Sequence, residues 1–164
     1  MNYWLILLGL AVVAMVIGPI MMLQPTSKQQ AQEVLRRRAI ELGLRISIVT
    51  MPKQAADSDT PDAIPMYCLP WLQRNTRVQE WLLLRTSFSH EGHFLENWQW
   101  HERRQASIAE QARLHRILPK LPGSIRAVGA NSHGYCFYWT ERGGIAQLEQ
   151  LVPFLEALRD HYPN

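Results

Sequence analysis

The chain opens on an unbroken run of apolar positions and then switches to mixed polarity. From Tyr3 to Leu23, YWLILLGLAVVAMVIGPIMML holds no charged residue, and only Gly9, Gly18 and Pro19 depart from apolar side chains. A helix rises about 1.5 Å per residue, so this run predicts a helix of roughly 30 Å, apolar on every face. That is the expectation for a transmembrane anchor over residues 1–23. Met1 and Asn2 give it no basic leader and no A-x-A-like site follows, which separates it from a cleaved signal peptide. The pattern from Ser27 to Leu42 is amphipathic. Ala31, Val34, Leu35, Ala39 and Leu42 mark one stripe, Arg36, Arg37 and Arg38 fan around the other side, and Gly43 supplies a C-terminal cap. This predicts a basic juxtamembrane helix over 24–43.

Residues 44–164 read as a small α+β domain. Arg45–Met51 alternates and is β-branched, predicting a strand. Pro52–Pro65, with three prolines and Asp57, Asp59 and Asp62, predicts a loop. Met66–Trp71 and Val78–Thr86 predict two strands joined by the turn Gln73-Arg74-Asn75-Thr76, and Asn97–His101 a short strand with Trp98 and Trp100 on one face. Ser107–Leu118 reads as a helix stopped by Pro119 and Pro122-Gly123. Ile125–Ala130 and Tyr135–Thr140 flank the turn-rich Asn131-Ser132-His133-Gly134 and predict a hairpin. Ile145–Tyr162 has the strongest helical stripe, with Pro153 either kinking it or starting it afresh. Hairpin-linked strands interspersed with helices predict a mostly antiparallel sheet covered by helices, behind an N-terminal transmembrane helix.

Composition narrows the class. The 164 residues hold 17 Lys+Arg against 14 Asp+Glu, and 47% are apolar, which excludes a disordered or collagen-like chain. Lys28, Arg36, Arg37 and Arg38 follow the apolar run, and such charges stay on the cytoplasmic side. The expected placement is therefore single-pass in a bacterial inner membrane, N-terminus outside and C-terminal domain cytoplasmic. The same four side chains are the candidates for contact with the lipid bilayer surface. Because the basic excess sits beside the span, no nucleic-acid partner is expected. Cys68 and Cys136 form no metal or CxxC pattern. In a reducing cytosol they read as buried free thiols, with one disulfide open to them if the domain lies outside it.

Candidate chemistry is sparse. His90, Glu91, His93, Glu96 and His101 gather imidazoles and carboxylates within twelve residues, which could hold Zn²⁺. His90-Glu91-Gly92-His93 is one residue short of the helical H-E-x-x-H motif, so His90, His93 and His101 are weak metal candidates and a surface turn is the plainer reading. Ser89-His90, Ser132-His133 and Cys136 near His133 are sequence neighbours without a third triad member. No phosphate-binding glycine motif is present, so no cofactor and no catalytic residue is expected. Six Trp is a high count; most belong to the core, and Trp98 and Trp100 are the candidates for a partner-binding face.

GPIMMLQPTSKQQAQEVLRRRAIELGLRI, a span running into a basic helix, resembles the start of the preprotein translocase accessory subunit family YajC over roughly residues 10–50. The chain departs from that family's Gly-Asp-x-Val and Gly-Gly strand signature and has a longer, Trp-rich domain. Trp98-Gln99-Trp100 and Tyr138-Trp139-Thr140-Glu141 are similar to segments of uncharacterised bacterial inner-membrane proteins, which implies a bacterial source and carries over no catalytic residue. The expected function is a non-enzymatic, membrane-anchored protein that binds a protein partner or membrane complex. The resemblance implies a translocase accessory role as the alternative, and the histidine cluster a membrane-anchored metal-dependent hydrolase.

Overall fold

The computed structural model describes residues 3–22, 26–52, 63–72, 79–89 and 91–160; in its first helix, side chains are described at 3, 4 and 6–15. The chain divides into two compact units, residues 1–33 and 34–164. The first holds helix α1, Tyr3–Met22, and the start of α2, Ser27–Glu41. Thr26 caps α2: its hydroxyl accepts from the Gln29 N–H at 3.3 Å while Gln29 Oε1 accepts from the Thr26 N–H at 2.8 Å.

Among the described residues, no helix is long and apolar enough to cross a membrane. This corrects the expected transmembrane anchor over 1–23. It also removes the support for the single-pass inner-membrane placement and for the cytoplasmic orientation inferred from Lys28 and the three arginines.

The second unit is built on six antiparallel strands: β1 Arg45–Thr50, β2 Ala63–Leu69, β3 Trp81–Arg85, β4 Trp98–Trp100, β5 Ile125–Asn131 and β6 Gly134–Trp139. Their order across the sheet is β1-β2-β6-β5-β3-β4. Helix α3, Ile108–Ile117, runs into a 3₁₀ turn at Leu118–Lys120, and α4 spans Gly144–Arg159. Alternation along the strands sorts the faces. Tyr67, Leu69, Trp81, Leu83, Val128, Tyr135, Phe137 and Trp139 join Leu35 and Ala39 of α2, Leu114 and Ile117 of α3, and Leu148, Leu151, Leu155 and Leu158 of α4 in one core. Met66, Cys68 and Cys136 form a separate small cluster with Val49 and Tyr138.

Local chemistry explains the boundaries. Strand β2 begins at Ala63, earlier than the proline count predicts. Pro65 pairs with Ile48 of β1, whereas pairing with β6 starts only at Met66, so Pro65 sits where the strand has a neighbour on one side. Strands β5 and β6 close a two-residue hairpin, with Asn131 opposite Gly134 and Asn131 Oδ1 accepting from the His133 N–H at 2.8 Å. Gly134 has φ +139, and a Cβ there would collide with the Leu69 carbonyl. Pro153 lies inside a single helix α4 rather than at its start. The turn at 73–76, most of the loop at 52–65, and Tyr162 lie outside the described residues.

Cys68 and Cys136 are direct partners across β2 and β6 and form a disulfide. The free-thiol reading is corrected: register places both side chains on one face of adjacent strands. Disulfides persist in oxidising compartments and are rare in a reducing cytosol, so the bond also stands against the cytoplasmic placement.

Candidate binding groove on the helix layer

Two buried carboxylates organise the second unit. Glu110, 4% exposed, occupies the first turn of α3. Its Oε2 accepts from the Ser107 N–H at 2.9 Å and the Ser107 hydroxyl at 2.6 Å, completing a capping box. Its Oε1 accepts from the Tyr135 hydroxyl at 2.6 Å and from Trp81 Nε1 at 3.3 Å. A charged acceptor with a donor on each side tolerates burial. The arrangement ties α3 to β3 and β6.

Glu141, just past β6, does the same for α2. Its side chain is 4% exposed and accepts from Arg36 Nε at 2.7 Å, Arg36 Nη2 at 3.2 Å and the Tyr67 hydroxyl at 2.7 Å. Burial first, then the bond to the Glu141 carboxylate, pushes the Tyr67 phenol well above its ordinary range. The Arg36 guanidinium is raised, chiefly by its bond to Glu141. Arg38 bridges to Glu149 of α4 at 2.9 Å and to Glu41 at 3.2 Å. Arg36 and Arg38, expected at a lipid surface, thus engage acidic groups of the same chain. Arg37 and Lys28 lie on the same helix, and Lys28 is exposed.

The remaining sequence candidates scatter. Trp98 is buried at 1% exposure, with the Arg85 guanidinium 5.2 Å over its ring. Trp100 is half-buried and meets Trp81 edge-on at 5.7 Å and Phe94 at 4.9 Å. Both rings share one face, and that face is the core. His93 is half-buried, its Nδ1 3.0 Å from the Glu96 carbonyl, and His101 lies 3.6 Å from Glu102. Among the described residues no group of three or more His, Cys, Asp or Glu is placed to hold a metal ion; His90 lies outside them. Cys136 is bonded to Cys68, so the pairing with His133 is corrected: no thiol remains there. A cavity of about 170 Å³ lies over Leu82, Gly129 and Tyr138 beside His101, Glu102 and Arg104.

A larger concavity lies between the helices. A groove of about 440 Å³ is lined by Arg113, Arg116, Ile117 and Lys120 from α3 and its 3₁₀ turn, and by Pro153, Phe154 and Ala157 from α4. Ile117 and Phe154 form its apolar floor, since both also pack on the core. Pro153 and Ala157 are exposed on one wall, and Arg116 and Lys120 are exposed on the other. The spacing 113, 116, 120 puts the three cations on one stripe, which was a signal present in the sequence. The apolar wall comes from residues more than thirty positions later, so the groove itself was not visible there. Compared with known proteins, the chain matches no protein family, no curated protein and no solved structure.

Proposed function

We propose that the second unit is a non-enzymatic protein-binding domain, and that the groove between α3 and α4 receives a helical segment of its partner. The observation that carries this reading is the pairing of exposed Pro153 and Ala157 with the floor of Ile117 and Phe154 in one concavity. A groove bounded by two helices takes a third helix through side-chain interdigitation, the mode by which amphipathic helices dock on helical surfaces. The buried carboxylates Glu110 and Glu141 support the same reading, because hydrogen bonds within the fold engage both rather than a cavity.

The test is selection of displayed helical peptides on the full chain, followed by a counter-screen on Ala157→Arg. Ala157 is exposed, so the variant fills the groove without disturbing the core. Peptides that bind the parent and lose at least about tenfold in affinity on the variant support the site. Peptides that bind both equally place the binding surface elsewhere and end the proposal.

A further inference from the structure

The geometry points to an acidic partner: we propose that the groove takes an amphipathic helix whose apolar stripe lies on Ile117, Phe154 and Ala157 and whose flank carries Asp or Glu toward the exposed Arg116 and Lys120. This rests on the groove being a protein-binding site and adds the chemistry of its occupant. Seven side chains line the groove; three are cations and none is acidic. The chain as a whole is nearly balanced, at 17 basic to 14 acidic residues, so this local imbalance is not the average of the surface. The cations stand along a single edge, from 113 to 120. At about 1.5 Å per residue that edge is roughly 10 Å long, about two turns of a facing helix.

The same edge fixes the pattern of the occupant. Acidic residues three or four apart on one flank of a helix face cations spaced in the same way. The apolar residues beside them, again three to four apart, reach the floor. Complementary charge of this kind sets register and orientation and speeds association, while the apolar floor supplies the attraction that salt does not screen. An occupant with neutral flanks therefore binds, but more weakly.

The experiment uses the full chain and three designed helical peptides with one shared apolar stripe and glutamate, glutamine or lysine flanks, followed by fluorescence anisotropy, with phosphatidylglycerol vesicles as a fourth ligand. The glutamate peptide is expected to bind about fivefold more tightly than the glutamine peptide, the two exposed cations Arg116 and Lys120 each adding a few-fold. That advantage shrinks as salt rises. In Arg116→Glu/Lys120→Glu it disappears while the glutamine peptide keeps its affinity, which also shows that the variant is folded. Equal binding of the glutamate and glutamine peptides overturns the acidic-partner proposal and leaves the groove standing, provided Ala157→Arg abolishes both. Binding to vesicles but to no peptide overturns it in favour of a lipid surface. If neither the peptides nor the vesicles bind, the groove reading falls with it.

Discussion

Glu141 shows how one side chain sets the position of a distant helix. Its carboxylate is nearly closed off from water, sits at a left-handed backbone position with φ +60, and accepts from both Arg36 and Tyr67. Glu141→Gln keeps the shape but removes the charge and one acceptor. A hydrogen bond to a charged group contributes about 1.5–3 kcal/mol, so a loss of that size is expected, read as a lower urea midpoint at unchanged slope. The same contact predicts a pH dependence. Tyr67 holds its proton more tightly folded than unfolded, because burial and the Glu141 carboxylate both oppose the phenolate. Its contribution is complete below the ordinary tyrosine value of 10.0 and is lost as pH rises beyond it. Tyr138, raised by burial, acts in the same direction. Alkaline titration by tyrosinate absorbance should show a late-ionising fraction of phenols, reduced in Tyr67→Phe. Phenols that all ionise near the ordinary value would refute this.

Among the elements, α3 depends most on a single residue, because Glu110 serves its N-terminus and the sheet at once. Glu110→Gln leaves the Ser107 N–H or the Tyr135 hydroxyl without an acceptor and should cost about 1–3 kcal/mol. Ser107→Ala removes only the cap and should cost about 1 kcal/mol. If thermal melts rank these two variants equally, Glu110 acts as a cap and nothing more. The capping half of this role was legible as Ser107-x-x-Glu110 ahead of an apolar stripe. The buried half was not, since Trp81 and Tyr135 lie on strands 29 and 25 residues away in sequence. The same division runs through the fold. Strand β1, the β5–β6 hairpin and α3 follow from local periodicity and turn residues. The early start of β2 does not, because Pro65 reads as loop until its one-sided pairing is known. The order β1-β2-β6-β5-β3-β4 is set by contacts distant in sequence, which periodicity cannot report. Trp98 and Trp100 were correctly placed on one face, but period two does not say which face is the core.

For the whole molecule, the Cys68–Cys136 bond joins the two halves of the sheet's covalent path. It closes a loop with a sequence separation of 68, between strands that are already neighbours. A cross-link acts mainly on the unfolded chain, by removing conformations that the open chain would sample, and the gain grows slowly with loop length. For this separation the chain-entropy relation gives about 4 kcal/mol, and disulfides of this kind typically deliver about 2–4 kcal/mol. Such a contribution is a large share of a domain's net stability of about 5–15 kcal/mol. Both sulfurs are buried, beside Met66 and against a sheet face, so a reductant reaches them only when β2 and β6 separate. Two outcomes follow together. Cys68→Ala/Cys136→Ala should unfold at lower denaturant by about 2–4 kcal/mol while keeping the antiparallel sheet signature in circular dichroism. The oxidised chain should resist reduction and alkylation in its native state and yield two alkylated thiols once unfolded with reductant. If the native chain instead alkylates as fast as a short peptide of the same sequence, the two cysteines are not bonded, and the case for an oxidising compartment goes with them.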